Sequence, residues 1–383
     1  MTGADILRNA AGLDPLLRAE ADEGERLRRL TPTAVTALRQ AGAFRMPMPA
    51  AWGGPEVDIV TQAEVVETLA RADGSAGWCV MIGSDSGFYS AFLDDAAGRA
   101  IYPDLDTVTA GGVLPAGRLD RQADGGYRLS GRWSFASGID HAEVIAAGAV
   151  VFAGGEPQPG PQGHPEWRIA LLPRAAFEVH DTWHTTGLAA SGSQDYSTDG
   201  VAVPAEHTFS FADGPRRAGT LYAWPGMFLG NTAAVPLGIA RDALDVARAI
   251  WVDKVIGPEP RPAREDPRVR AALARAEAMV GAVRSYTYDQ LRSLWATLER
   301  GDLPTPDQRA ALAGSYAHTF QTCRAAVTLL YEEMGSLSVY RRCPLDRHLR
   351  DLLTVSQHLL GQTRTLEMAG AMWLGLPPPL PVL

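Results

Sequence analysis

Hydrophobic positions follow two different rhythms along this chain. From residue 4 to about residue 100 they recur every three or four residues, the spacing of amphipathic helices. ADEGERLRRLTPTAVTALRQAG shows the pattern well, with Thr31-Pro32 or Thr33 as a cap and restart and Gly42 as the stop. AAWGGPEVD reads as a loop. TQAEVVETLARADGSAGWCVMIGSDSGFYSAFL returns to helix, capped by Thr61, and its Asp73-Gly74-Ser75 break stops one helix and caps the next.

The rhythm changes near Asp104. TVTAGGV, GYRLSGRWSFA, EVIAAGAVVF, WRIALLP and YSTDGVAVP are strand-like, several of them alternating with period two, and they run to about Phe211. Asp124-Gly125-Gly126 is a hairpin turn, and GGEPQPGPQGHPEW at 154–167 is a surface loop. From about Leu221 the helical rhythm resumes in four long segments, enough for an antiparallel bundle. PLDRHLRDLLTVSQHLLGQTRTLEMAG is the fourth and reads as one continuous helix; the prolines of GLPPPLPVL extend the tail. The expected organisation is α+β: an N-terminal helical domain at 1–103, a central β domain at 104–212 and a C-terminal helical bundle at 213–383. This order excludes a Rossmann core, and neither GxGxxG nor a P-loop is present.

Composition narrows the function classes. With 383 residues, 46% hydrophobic and 21% charged, the chain resembles an ordinary globular protein. The net charge of −9 and the lack of a basic stripe argue against nucleic acid as a partner. No apolar run reaches the roughly 20 residues of a membrane span, and the N-terminus lacks a secretory pattern. The cysteines, Cys79, Cys323 and Cys343, form no CxxC pair, so reduced cytoplasmic thiols are the simplest reading. The eight histidines show no metal-ligand spacing. No GxSxG elbow supports a hydrolase.

Three stretches could carry chemistry. GRWSFASGID places Trp133 and Phe135 on one strand face and Ser134 on the other, with Ser137-Gly138 at the strand end. A small hydroxyl beside glycine lets backbone and Oγ approach a flat polar ring. DTWHTTGLAASGSQDYSTDGVAVP offers Ser191, Gly192 and Ser193 in the same manner. On the last long segment Arg350, Thr354, Gln357, His358 and Gly361 recur at helical steps and share one face. His141, His184 and His207 read as structural, and His348 as part of a basic surface stretch.

ARADGSAGW, GYRLSGRWSFASGIDHAE, WHTTGLAASGSQDYSTDGVAVP, PLGIARDAL and CPLDRHLRDLLTVSQHLLG, in that order, resemble one branch of the acyl-CoA dehydrogenase fold. That branch is the flavin-dependent monooxygenases that take reduced flavin from a separate reductase, among them the oxygenase components of 4-hydroxyphenylacetate hydroxylase, dibenzothiophene monooxygenase and the amino-sugar N-oxygenases. The resemblance implies an acyl-CoA dehydrogenase-like fold with a central β-barrel domain and a C-terminal four-helix bundle. It also implies reduced FMN or FAD with O2 as co-substrate, an NAD(P)H:flavin reductase as partner, a homotetramer, and a cytoplasmic location.

The dehydrogenases of this fold place a glutamate just after the Arg-Asp of the last helix. Here Arg350-Asp351 is followed by no carboxylate from Leu352 to Leu366, so an α-proton has no base there. The resemblance makes His358 the acid/base and Ser137 the partner of the flavin N5 edge in hydroxylation of an aromatic or amine through a C4a-(hydro)peroxyflavin. Trp133, Ser134, Ser191, Gly192 and Ser193 are then expected to form the flavin wall, Arg350 and Gln357 to reach the cofactor or a neighbouring subunit, and Asp85 and Trp224 to meet substrate. Ala189 stands where relatives often carry arginine, and Ser84, Asp85 and Ser86 where some carry histidine. Two alternatives remain: a flavoprotein dehydrogenase with Asp242 or Asp245 as base, or a non-catalytic assembly partner.

Overall fold

The computed structural model describes residues 1–160, 163–256 and 260–376. The proline-rich tail and the centre of the 154–167 loop lie outside the described residues. Helices α1 (Gly3–Gly12), α2 (Asp14–Leu27) and α3 (Pro32–Ala41) open the chain. Thr31 caps α3 by accepting from the Ala34 N–H at 3.1 Å, Pro32 occupies its first turn, and Gly42 at φ +81° ends it, as the sequence suggests. Helix α4 (Ile59–Ala72) starts two residues before the expected cap. Asp58 accepts from the Thr61 N–H at 2.9 Å; a carboxylate also suits the positive helix N-terminus. Asp73 ends α4 and caps α5 (Gly74–Gly83), which leads into α6 (Asp85–Ser90) and α7 (Asp95–Ile101).

The central domain is one mixed sheet. Its strands are β1 (Thr109–Arg121), β2 (Tyr127–Ala136), β3 (Val144–Ala153), β4 (Glu156–Pro157), β5 (Trp167–Pro173), β6 (Glu178–His180), β7 (Gln194–Val203) and β8 (Thr208–Phe209). The order is β6-β7-β2-β1-β3-β5-β8, with β4 on β3; β1 and β3 are parallel and the other pairs antiparallel. The Asp124-Gly125-Gly126 hairpin joins β1 to β2. A register shift between Trp133 and Ala136 bends the end of β2.

The C-terminal domain contains α8 (Ala234–Asp253), a short hairpin of β9 (Val255–Ile256) and β10 (Arg261–Pro262), then α9 (Pro267–Glu299), α10 (Pro306–Met334), α11 (Pro344–Val355) and α12 (Thr363–Trp373). The fourth expected helix is therefore two helices. The chain leaves helical geometry after Val355, and a 3-10 turn at Leu359–Gly361 intervenes, headed by His358. One apolar core runs through all three domains. Among the described residues no helix is long and apolar enough to cross a membrane.

Candidate active site

One indole joins two of the three chemical stretches. Trp78, on α5, donates its Nε1–H to Ser137 Oγ at 2.8 Å. Its ring meets His358 edge-on, with centroids 5.4 Å apart. Ser137 Oγ lies 2.7 Å from Ser193 Oγ, which lies 2.7 Å from Ser191 Oγ. Gly138 donates its N–H to the Ser191 carbonyl at 2.8 Å, stitching the end of β2 to the serine loop. The three serines are nearly inaccessible, so each hydroxyl hydrogen must be shared within this chain or offered to a ligand.

His358 is not on a helical face with Arg350 and Gln357, because the helix has already ended. The break turns its imidazole inward, between Trp78 and Phe320, whose ring stacks on it at 6.4 Å. Nδ1 faces the Leu360 N–H at 3.4 Å, and Nε2 has no partner among the described residues. Burial pushes the imidazole down to about 4, so it is neutral at pH 7.

The bulge in β2 separates two aromatics that strict alternation would put together. Trp133 is buried, stacks on Tyr196 with centroids 5.3 Å apart, and donates Nε1–H to the Gly148 carbonyl at 2.8 Å. It belongs to the sheet core and shows no open face to a cofactor. Phe135 is thrown outward at φ +68° and is 70% exposed. An exposed aromatic held in left-handed geometry costs backbone energy with no burial in return, which suits a flat ring stacking on it. Sequence alternation missed Phe135 for this reason. Ser134 is exposed beside it.

Arg350 is bonded within its own chain. It donates to Glu25 on α2 at 2.7 Å, to Asp346 at 2.8 Å and to the Thr186 carbonyl. Gln357 is exposed, just past α11. Asp85 is buried and accepts from Tyr89 at 3.3 Å; burial holds its carboxyl well above the usual range. Trp224 is buried beneath the Arg309 guanidinium. Neither Asp85 nor Trp224 is bonded to the serine chain; Phe88 and Tyr222, 6.1 Å apart, link their segments. Ala189 is buried in the 3-10 turn before Gly192, which adopts φ +53°.

The alternative bases are engaged elsewhere. Asp242 receives two hydrogen bonds from Arg18 and lies 2.8 Å from His348 Nε2. Burial raises its pKa, but His348 and Arg18 outweigh that and bring it to about 2. His348 is therefore half-buried and hydrogen-bonded to Asp242 rather than on a basic surface. Asp245 is shared by Arg71, Arg241 and Arg248. His141 packs against Phe44, and desolvation pushes it down to about 4.

The candidate site is a neutral imidazole and a chain of three hydroxyls joined by Trp78, with the exposed Phe135, edge-on to Trp183, two residues before Ser137. Flat polar ring systems fit this set: Phe135 can stack, and the hydroxyls can reach a ring edge.

Comparison with known proteins agrees. Residues 231–363 match the family model for the acyl-CoA dehydrogenase C-terminal domain, and residues 13–96 match that for the N-terminal domain, together more than half of the chain. The indole-3-acetate monooxygenase of Pseudomonas putida is 27% identical over 94% of this chain and 91% of its own. The oxygenase component of the FADH2-dependent resorcinol hydroxylase of a Rhizobium strain is 28% identical over 97% and 95%. The crystal structure of 3-HSA hydroxylase from Rhodococcus sp. RHA1 superimposes with a TM-score of 0.91 at 25% identity, covering 99% of each chain. The chain belongs to the acyl-CoA dehydrogenase family and, within it, to the oxygenase components of two-component flavin-dependent monooxygenases.

Proposed function

We propose that this oxygenase hydroxylates a small aromatic or amine, with His358 as acid/base and Ser137 as the hydroxyl facing the reduced flavin. The observation that carries the reading is the Trp78 indole, which contacts His358 and donates to Ser137. Reduced flavin, when bound, supplies the electrons and the centre at which O2 is activated. Phe135 would stack on its ring, and the Ser137–Ser193–Ser191 chain would meet its polar edge. Ser137 Oγ already accepts from Trp78, so its own hydrogen is free for Ser193 or for a ring nitrogen. His358, neutral with an unpartnered Nε2, can take a proton from a substrate O–H or N–H and return it without carrying charge in the resting site. Trp78, Phe320 and Leu360, themselves buried, wall the imidazole, which is only partly exposed. Asp85, whose carboxyl burial holds well above its usual range, and Trp224 are the proposed substrate contacts.

A homotetramer and a cytoplasmic location, with the separate reductase supplying either FMN or FAD in reduced form, complete the proposal. Trp373, Leu374 and Leu376 are exposed apolar side chains that an interface between copies would cover. The test is rapid mixing of the anaerobic protein, loaded with reduced flavin, against O2. A transient near-ultraviolet species before oxidised flavin appears, and a hydroxylated product lost in His358→Ala, is the expected result. Immediate reoxidation, or full product formation by His358→Ala, overturns the assignment.

A further inference from the structure

Two buried carboxyls lie behind the serine chain, and the proposed chemistry uses neither. Asp351, on α11, accepts the Leu188 N–H at 2.6 Å. Leu188 stands at φ +47°, in the left-handed region that a branched side chain avoids, so this bond holds a strained residue in place. Leu188 opens the turn that carries Ser191 and Ser193. The same loop rests on α11 at two more points. Arg350 donates to the Thr186 carbonyl, and a Cβ at Gly187 would fall 2.0 Å from the Arg350 carbonyl oxygen, so only glycine permits the approach.

The second carboxyl is Asp73. It caps α5 by accepting from the Ser75 N–H at 3.2 Å, and α5 carries Trp78. The two acids meet at Gly74, where a Cβ would lie 3.1 Å from Asp351 Oδ2. Asp73 and Asp351 thus hold the two sides of the hydroxyl chain: the α5 helix that brings the Trp78 donor, and the loop that brings Ser191 and Ser193. His358 follows Asp351 by two helical turns of sequence, just past the end of the same helix.

We propose that Asp351, set beside Gly74 at the start of the helix that Asp73 caps, is a positioning residue that holds the geometry of the flavin-facing serine chain and couples it to its own protonation. The proposal rests on the serine cluster being the flavin-facing site.

The surrounding charges decide the direction. Arg347 and Arg350 on α11 face the pair, but both guanidiniums are already matched, by Asp22 and Glu25 on α2 and by Asp346 on α11. On α8, Asp242 is matched by Arg18 of α2 and hydrogen-bonded to His348 of α11. A second negative charge beside Asp73 therefore has no uncommitted cation among the described groups. Burial is the main cause that brings the Asp351 carboxyl up to about 7; the Leu188 N–H opposes it and Asp73 adds to it. Burial likewise raises Asp73. With one proton on the pair, Asp351 accepts from Leu188 and presses against the start of α5. When that proton leaves, repulsion separates α5 from α11 and the serine chain loosens. Because the folded pKa is raised, the folded state keeps a proton that the unfolded chain has lost. Stability therefore declines as pH rises from the unfolded value near 4 to about 7, and is level above that.

The test compares the full-length protein with Asp351→Asn, which keeps the acceptor for Leu188 and removes the charge, and with Asp351→Ala, which removes both. Infrared spectra of the flavin-free protein should show a protonated carboxyl band that titrates near neutrality and vanishes in Asp351→Asn. Anaerobic binding of reduced FAD and of reduced FMN should weaken several-fold in the wild type as pH rises through neutrality. It should stay tight and level in Asp351→Asn, and be weak at every pH in Asp351→Ala. The cofactor's own titration is common to all three proteins and drops out of the comparison. Hydrogen exchange of the peptide spanning 183–193 should be slow in the wild type and in Asp351→Asn. An Asp351→Asn profile parallel to wild type, or an infrared band untouched by the substitution, overturns the proposal. If Asp351→Ala does not fold, Asp351→Asn decides alone. If neither flavin binds the wild type, the functional reading fails, while the infrared and exchange results still decide this one.

Discussion

Removing the Ser137 hydroxyl orphans a buried donor, and that cost can be worked out from the geometry. Among the described residues Ser137 Oγ alone accepts the Trp78 indole N–H, at 2.8 Å, and both side chains are buried. Ser137→Ala leaves that N–H unpaired, which costs about 1–3 kcal/mol. Ser193 retains Ser191 as a partner, so the rest of the chain survives. Trp78→Phe removes the donor instead, losing about 1–2 kcal/mol through packing left behind by the smaller ring. The double variant has no orphan, so its loss should fall short of the sum by about 1–1.5 kcal/mol. Thermal unfolding of the flavin-free protein at one fixed concentration reads this out, at about 1–2 °C per kcal/mol for a chain this long. Single losses that add to within about 0.3–0.5 kcal/mol would refute the claim that this hydrogen bond organises the site. Reduced-flavin affinity measured on the same proteins should show the same non-additivity.

Phe135→Gly relieves the φ +68° strain, about 1 kcal/mol, against a similar rise in unfolded-chain entropy. Its flavin-free melting temperature should therefore stay near wild type while flavin affinity falls; unchanged affinity would remove Phe135 from the ring wall. Asp242→Ala takes the hydrogen-bond partner from His348 and one of two carboxylates from Arg18, which keeps Asp14, and should destabilise the protein by about 1–3 kcal/mol, less than breaking a fully buried pair. Since the folded Asp242 pKa is depressed to about 2, its stabilisation is present above the unfolded value of 3.8 and is lost as pH falls toward 2; the variant's deficit in acid-unfolding curves should shrink over that range. His358 is depressed to about 4, so the folded protein loses stability as pH falls from 6.5 toward 4, and His358→Gln should flatten that slope. Product yield should show no imidazole titration between about pH 6 and 8; a histidine-like step there would mean that His358 is charged in the working site.

The periodicity of apolar residues determined the domain order, most helix and strand positions, and stops such as Gly42 and the Asp73 junction, because those follow from local geometry and capping. Motif order pointed to the serines at 137, 191 and 193 and to His358. Other features depended on contacts between segments far apart in sequence. Helix α5 is buried at nine of its ten residues, so its pattern has no polar face and could not show which side Trp78 presents or that it donates to Ser137. The bulge that puts Phe135 outside and Trp133 inside comes from pairing with β7, which strict alternation along β2 cannot contain. LLTVSQHLLGQ has the composition of a helix, and no proline interrupts it. Only packing decided that α11 stops at Val355, where the 3-10 turn after it places His358 between Trp78 and Phe320. Arg350 looked available on sequence because its partners, Glu25 and Thr186, lie more than 150 residues away; only the fold brings them together.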